Sequence, residues 1–283
     1  MDESIAKLKE AIRNKKVLLF VGSGISCSVG LPSWSELITK LADQLGIDKD
    51  LYEMLGDNLS LAEYYEICQS ELDPAVIPAQ FICDYIKGKE TEQKDRITSA
   101  RVLQQIVNLD CPIIYTTNYD HCLELAHTEQ KKMYKAICDV KNMASVCERD
   151  TQIIKFHGDY DHPQSIVFSE SSYFDRLDFE SPLDIKLRAD MLGRSILFIG
   201  YSLSDINIRL LTYKLDKLWK KNEALYGISK DERPDSYIFM AKPNYIQERI
   251  FESRKIIPIV GNSIDCNKST SDFLKIINPK LCN

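Results

Sequence analysis

KVLLFVGSGIS, Lys16–Ser26, decides the fold. After Lys16 the side chains are apolar without a break as far as Val21. A strand with one wet face alternates apolar and polar residues. An unbroken run predicts a strand buried on both faces, as in a parallel sheet covered by helices. Gly22 and Gly24 follow at once and let the backbone turn sharply and approach a ligand closely. Amides placed beyond a strand and before a helix favour a phosphate group. The dehydrogenase pattern G-x-G-x-x-G is not completed, because residue 27 is Cys. A plain glycine turn is the other reading of the same residues.

Similar runs recur outward from this segment at Pro112–Thr116, Gln152–Phe156, Ser195–Ile199, Tyr237–Ala241 and Ile256–Val260. Helical patterns separate them, over Arg101–Leu109, Tyr119–His127, Pro182–Leu192, Ile206–Asn222 and Tyr245–Ser253. Strands alternating with helices imply an α/β, Rossmann-like, doubly wound parallel sheet. Asp2–Arg13 is expected as an amphipathic helix. Ser33–Leu45 is expected as a second, with Ser33 and Glu36 forming a capping box. From Ile47 to Lys89 the pattern is helical throughout, and GKETEQKD, Gly88–Asp95, is expected as a charged linker. These residues, about 47–98, are taken as a helical insert within a single domain covering 1–283. Its Tyr52, Tyr64, Tyr65 and Phe81 suit either an interface or the core.

Composition excludes several classes. The net charge of −6 argues against a nucleic-acid-binding surface, which needs a basic patch. The nine Cys show no CxxC spacing, and the N-terminus has no apolar signal core. Reduced thiols filling a core in a cytoplasmic protein are the expectation, with no disulfide framework. No apolar run approaches the roughly 20 residues of a membrane span.

Four polar motifs each follow a predicted strand, so they should converge on one edge of the sheet. The first is VGSGISCSVGLPSW, Val21–Trp34, with Gly22, Ser23, Gly24 and Ser26. The second is TTNYD, Thr116–Asp120. Asn118 offers donor and acceptor to a ribose hydroxyl or a water, and Asp120 accepts; either residue could instead cap the following helix. The third is KFHGD, Lys155–Asp159, in which His157 suits a general base or a structural hydrogen bond at a strand end. His121, His127 and His162 are assigned to surface or helix roles. The fourth is FIGYSLSD, Phe198–Asp205, in which Gly200 permits close approach, Ser202 and Ser204 can meet phosphate or ribose oxygens, and Asp205 can cap a helix.

In this order and strand context the motifs resemble those of the sirtuin superfamily, and within it the sirtuin-like NAD hydrolases of bacterial antiviral defence. The resemblance runs from about Val17 to Asp205 and more faintly to Val260. It implies Asn118 and His157 as catalytic residues. It implies Gly22, Ser23, Gly24, Ser26, Asp120, Gly200 and Ser202 as contacts to NAD, the substrate. Deacylating sirtuins carry two Cys pairs that bind zinc after the catalytic His, whereas no Cys lies between His157 and Gly200 here, so no metal is expected. Deacylases also place Pro-Asp-Phe-Arg after the glycines, whereas Pro32 is followed here by Ser33 and Trp34. The implied reaction is cleavage of the nicotinamide–ribose bond to nicotinamide and ADP-ribose, depleting NAD in antiphage (abortive infection) defence. An NAD-dependent deacylase and a non-catalytic sensor of NAD or ADP-ribose derivatives are the alternatives. No sensor domain is recognisable, so control is expected from a separate regulatory protein, from a homo-oligomer, or from both.

Overall fold

A computed structural model of the chain describes residues 2–147, 149–176, 180–201, 206–227 and 233–278. Seven strands form one sheet: β1 (Val17–Val21), β2 (Ile113–Thr116), β3 (Tyr134–Ile137), β4 (Thr151–Lys155), β5 (Ser195–Ile199), β6 (Ser236–Met240) and β7 (Ile256–Val260). Their order is β3-β4-β2-β1-β5-β6-β7, and every pairing is parallel. The doubly wound α/β expectation therefore holds.

Side chains of β1 alternate between two cores, which is why the run needed no polar residue. Val17, Leu19 and Val21 pack with the Asp2–Arg13, Arg101–Asn108, Cys122–Glu129 and Cys266–Ile277 helices. Leu18 and Phe20 pack on the other face with the Pro182–Leu192, Ile206–Tyr226 and Tyr245–Ser253 helices. Pro258 lies in β7, at an edge of the sheet, where a missing donor is tolerated.

The winding reverses between β1 and β5, and ligands of open parallel sheets bind beyond the strand ends at such a switch. Registers bring the ends level: Val21 pairs with both Thr116 and Ile199, and Thr116 pairs with Lys155. The residues that follow these strands therefore emerge in one row.

A third core lies among the helices between β1 and β2. Leu37, Ile38, Leu41, Tyr52, Leu61, Tyr65, Ile82, Cys83 and Ile86 pack there with Tyr119, Tyr160, Ile166 and Phe168 from the segments after β2 and β4. This helical layer is thus packed against the chain at the carboxyl ends of the strands. Tyr52 and Tyr65 are core residues, Phe81 is partly buried, and Tyr64 is exposed. The Trp34–Leu45 helix opens on the expected capping box of Ser33 and Glu36.

Three expectations need correction. β3 was not foreseen, because its YKAI is short and mostly half-buried, so it carries no apolar run. Gly88–Asp95 is no linker: the Ala79–Glu92 helix runs through most of it and the Lys94–Ser99 helix follows Gln93. Its Lys, Glu and Gln are good helix formers, and Glu90 faces inward. The segment after Gly22 is no open turn either, for the Ser23–Ser28 helix begins immediately. The Gly22 amide donates to the Ile199 carbonyl and the Gly24 amide to the Gly200 carbonyl, each at 2.9 Å. Gly22 and Gly24 accordingly hold β1 against the end of β5, and their amides are not open to a phosphate.

A Cβ on Gly22 would lie 2.5 Å from the Gly200 carbonyl oxygen, a backbone atom that cannot swing aside. Gly22→Ala should therefore cost about 1–3 kcal/mol, the usual range for overpacking. Urea unfolding checks this: the midpoint should fall with little change in slope. An unmoved midpoint would contradict the close approach.

Candidate active site

A cavity of about 410 Å³ opens beyond the strand ends. Ser23 and Ser26 line it after β1, Thr117 to Asp120 after β2, His157 after β4, and Gly200 and Tyr201 after β5. Of the residues expected to contact the cofactor or do chemistry, it brings together Ser23, Ser26, Asn118, Asp120, His157 and Gly200. Gly22 is not among the lining residues, and Gly24 lines a neighbouring cavity of about 190 Å³ that shares Gly200 and Tyr201 with the first. Ser202, Ser204 and Asp205 lie outside the described residues.

The turn after β2 presents Asn118. Thr116 Oγ1 donates to the Val21 carbonyl at 2.8 Å and accepts the Asn118 amide at 3.1 Å. Asn118 Nδ2 donates to Ser26 Oγ at 2.9 Å, which ties the second motif to the first. Asn118 Oδ1 is buried with no hydrogen-bond partner. Leaving such an acceptor unmatched costs roughly 1–3 kcal/mol, so its orientation points to a donor that a ligand or water supplies. Asn118 does not cap the following helix. Asp120 Oδ1 accepts the Cys122 amide at 3.0 Å, at the start of the Cys122–Glu129 helix. Asp120 thus accepts from the first turn of the helix, whose N-cap is His121, and also lines the cavity.

His157 follows β4 and is 1% exposed. Gly158 turns the chain away with φ of +96°, and a Cβ there would lie 2.2 Å from the Ser165 carbonyl oxygen. The HG pair is therefore a steric requirement at its second position. Burial, with the nearby Arg176 guanidinium adding to it, holds the imidazole far below its ordinary range, at about 3. The ring is neutral at physiological pH. Arg176 stacks 4.2 Å from the centre of the Phe156 ring and pairs with Asp184 at 3.0 Å.

Beneath the cavity lies a charged network built largely from residues within or next to the second and third motifs, whose part in it was not read from the sequence. Lys155 Nζ donates to the Asp120 carbonyl and lies 3.3 Å from Glu124 and 3.7 Å from Asp159. Burial would lower the Lys155 pKa, but the three surrounding carboxylates outweigh it and hold the ammonium above its usual range. Burial would likewise raise Asp159, yet the His121 hydrogen bond at 2.9 Å and the Lys155 charge hold it down at about 2. His121 is therefore not a plain surface residue. His127 is buried, with Nδ1 against the Leu123 carbonyl of its own helix. The signals were present in KFHGD and TTNYDH, since a lysine closing an apolar strand needs carboxylates nearby.

Sequence reasoning also missed the walls of the cavity contributed from elsewhere: Trp34, Asp57, Leu59, Tyr173 and Arg209. Only Trp34 belongs to a motif, as the last residue of the first; the helical layer brings Trp34, Asp57 and Leu59 to the cavity, and the Glu170–Asp175 and Ile206–Tyr226 helices bring Tyr173 and Arg209. Two groups of metal-ligating atoms lie close enough to share an ion, Glu90–Asp120–Cys122 and His121–Asp159–Asp161. Their atoms are engaged in the fold: Glu90 accepts from the His121 amide and Tyr160 hydroxyl, and Asp161 pairs with Lys87. Burial pushes the thiols of Cys83 and Cys111 up to about 12 and raises that of Cys122, but Cys147 and Cys266 are exposed and Cys27, Cys68 and Cys138 half-buried, so the expectation of core filler fits only part of the set. No helix among the described residues is long and apolar enough to cross a membrane.

Comparison with known proteins adds the last element. A family model described as a SIR2-like domain matches residues 112–259, which hold the whole of the second, third and fourth motifs. The NAD(+) hydrolase ThsA of Bacillus cereus (strain MSX-D12) is 28% identical over 235 residues, 82% of this chain and 47% of that protein. The NAD(+) hydrolase ThsA of Enterococcus faecium is 28% identical over 289 residues, 98% of this chain and 58% of that protein. Defense-associated sirtuin 2 of Bacillus subtilis is 29% identical over 223 residues, 77% of this chain and 21% of that protein. The chain spans about half the length of the two hydrolases it matches. With the match covering more than half of its residues, and the sheet and strand-end motifs arranged as described, the chain belongs to the SIR2-like domain family.

Proposed function

We propose that the chain is a sirtuin-like catalytic domain that hydrolyses NAD to nicotinamide and ADP-ribose, acting in defence against phage. The observation that carries this reading is the meeting of Asn118 and His157 on one cavity at the sheet's switch point, where the Asn118 amide is held by Ser26. The names of the relatives support the substrate and the defence role.

The two neighbouring cavities suit an extended dinucleotide. The larger would hold the nicotinamide riboside half beside Asn118 and His157, and the smaller the adenosine half, with Gly200 between them. The N-glycosidic bond breaks with its electron pair passing to the pyridine nitrogen, which neutralises the positive ring. An oxocarbenium-like sugar remains, as in other glycoside cleavages. Asn118 orients the water and the ribose. The water oxygen bonds to the sugar carbon, and its proton passes to the neutral His157 ring, directly or through a ribose hydroxyl.

Residues about 47–98 form, in this reading, an insert within a single catalytic domain in the cytoplasm. Control by self-assembly or by a separate protein belongs to the same proposal. It is supported by the exposed Met54, Leu55, Tyr64 and Ile67 on the helical layer. Nicotinamide release per chain should rise with protein concentration or on adding the regulator, and full activity in a dilute monomer would refute such control.

His157→Ala should lower nicotinamide release by about 10²–10⁴-fold, the range for a lost general base. Asn118→Ala should lower kcat more than it raises KM, because the residue positions reacting groups. A folded His157→Ala variant with undiminished release would exclude this mechanism, and activity that needs an acyl peptide would favour a deacylase.

The depressed His157 pKa has a direction in both kinetics and stability. With the ordinary value at 6.5 and the folded value at about 3, kcat/KM should show no histidine limb near 6.5 as the pH falls. The unfolded chain takes up a proton in that interval that the folded chain does not, so this contribution to stability is whole above 6.5 and lost as pH falls toward 3. His157→Gln should flatten the acid loss of stability in urea titrations; an identical pH slope would show that burial does not hold the ring neutral.

A further inference from the structure

We propose that Tyr173 is the positioning residue of His157: its hydroxyl accepts the Nδ1–H and so fixes the tautomer whose lone pair sits on Nε2. This rests on the reading of His157 as the proton acceptor. A neutral imidazole has one N–H and one lone pair, and the partner of one nitrogen decides the chemistry of the other. A base that exchanged between tautomers would be competent only part of the time.

Tyr173 lies on the Glu170–Asp175 helix, is buried, and also lines the cavity. Its hydroxyl oxygen is 3.5 Å from His157 Nδ1, and the two rings meet edge to face, 5.1 Å between centroids at 72°. That separation is at the long end for a hydrogen bond, and catalytic hydrogen bonds that are long without substrate tighten when it binds. Tyrosine suits the electrostatics of the place. Arg176 lies close enough to disfavour a protonated ring. A phenol oxygen accepts a hydrogen bond without adding charge, so it orients the ring while leaving it neutral.

The helix that carries Tyr173 is held from several sides. Ser169 and Ser172 form a capping box at its start, and the Ser172 hydroxyl also accepts the Phe168 amide at 3.0 Å. Glu63, on the Asn58–Leu72 helix of the helical layer, accepts the Ser171 amide at 2.9 Å. At the other end Arg176 pairs with Asp184. A tyrosine needed only to fill space would not call for its hydroxyl to face an imidazole nitrogen. Here that alignment is set by contacts to two other helices, and the helical layer reaches the proton acceptor in two steps, Glu63 to Ser171 and Tyr173 to His157.

The test is histidine ¹⁵N NMR on the whole chain at neutral pH, with the His157 signals identified by their loss in His157→Gln. The wild type should show a protonated Nδ1 and an unprotonated Nε2. Tyr173→Phe, which keeps the ring and removes the oxygen, should move both nitrogens toward averaged shifts. Its kcat for nicotinamide release should fall about tenfold or more, the scale found when a partner of a ring nitrogen is lost, with KM nearly unchanged. A wild type protonated at Nε2, an unchanged tautomer in Tyr173→Phe, or an unchanged kcat would overturn the proposal. The wild-type spectrum needs no variant to fold. It also separates the two ideas: nicotinamide release absent from the wild type at every protein concentration, with and without the regulator, would defeat the NAD hydrolase reading, whatever the tautomer proves to be.

Discussion

A lysine with no exposed side-chain surface holds the two halves of the candidate site together. Lys155 ends β4, two residues before His157, and its ammonium donates to the backbone carbonyl of Asp120, two residues after Asn118. Withdrawing such an ion from water costs several kcal/mol, and only well-placed opposite charges and acceptors offset that cost. Glu124 and Asp159 supply the charges, and Asp120 supplies the acceptor. The network is fixed to three places in the chain: the loop after β2, the helix that follows it, and the segment after His157. Asn118 and His157 thus stand on loops that a single buried cation ties to each other.

That arrangement separates what the sequence discloses from what it does not. β5 and β7 are legible to the residue, and β1 but for Lys16, because their side chains are almost all apolar or proline, with Ser195 at the start of β5 the exception. β3 lies at an edge and is mostly half-buried, so its four residues leave no hydrophobic signature. The strand-end motifs are legible as a set because parallel registers bring them level. Their individual duties are not. Gly22 and Gly24 are spaced as for a phosphate loop, yet they serve the contact of β1 with β5, and only the position of Gly200 reveals it. Asn118 and Asp120 are equally good capping residues on paper. The turn made by Thr116 assigns the helix end to Asp120 and leaves Asn118 facing Ser26.

The walls of the cavity were the least legible part, for a physical reason. Asp57 and Tyr173 are distant in sequence from each other and from every motif, and Trp34, though it closes the first motif, gave no sign of a place in the cavity. They reach the site because the helical layer shares a core with Tyr119, Tyr160, Ile166 and Phe168, all of which flank Asn118 or His157 along the chain. Tyr119 adds a hydrogen bond from its hydroxyl to the Val167 carbonyl at 2.7 Å, and Tyr160 adds another to Glu90 at 2.7 Å. Pairings of this kind depend on side-chain volumes from several segments at once. Periodicity reports which face of a helix is buried but carries no information about its partner.

The same packing explains how a polar site survives inside an apolar shell. His157 is held neutral, so its burial incurs the cost of a polar group and not of an ion. Arg176, whose charge bears on the ring, is partly compensated by Asp184 and by the face of Phe156, although burial still holds its pKa below the usual range. The one conspicuous unmatched acceptor among the residues expected to do chemistry is Asn118 Oδ1. A fold under selection for stability alone would fill that position or turn the amide. Here the amide is locked by Ser26 on its nitrogen side, which fixes the oxygen in place before any ligand arrives. In the proposed reaction, the stability forgone at Asn118 is the cost of holding its amide in one orientation before substrate arrives.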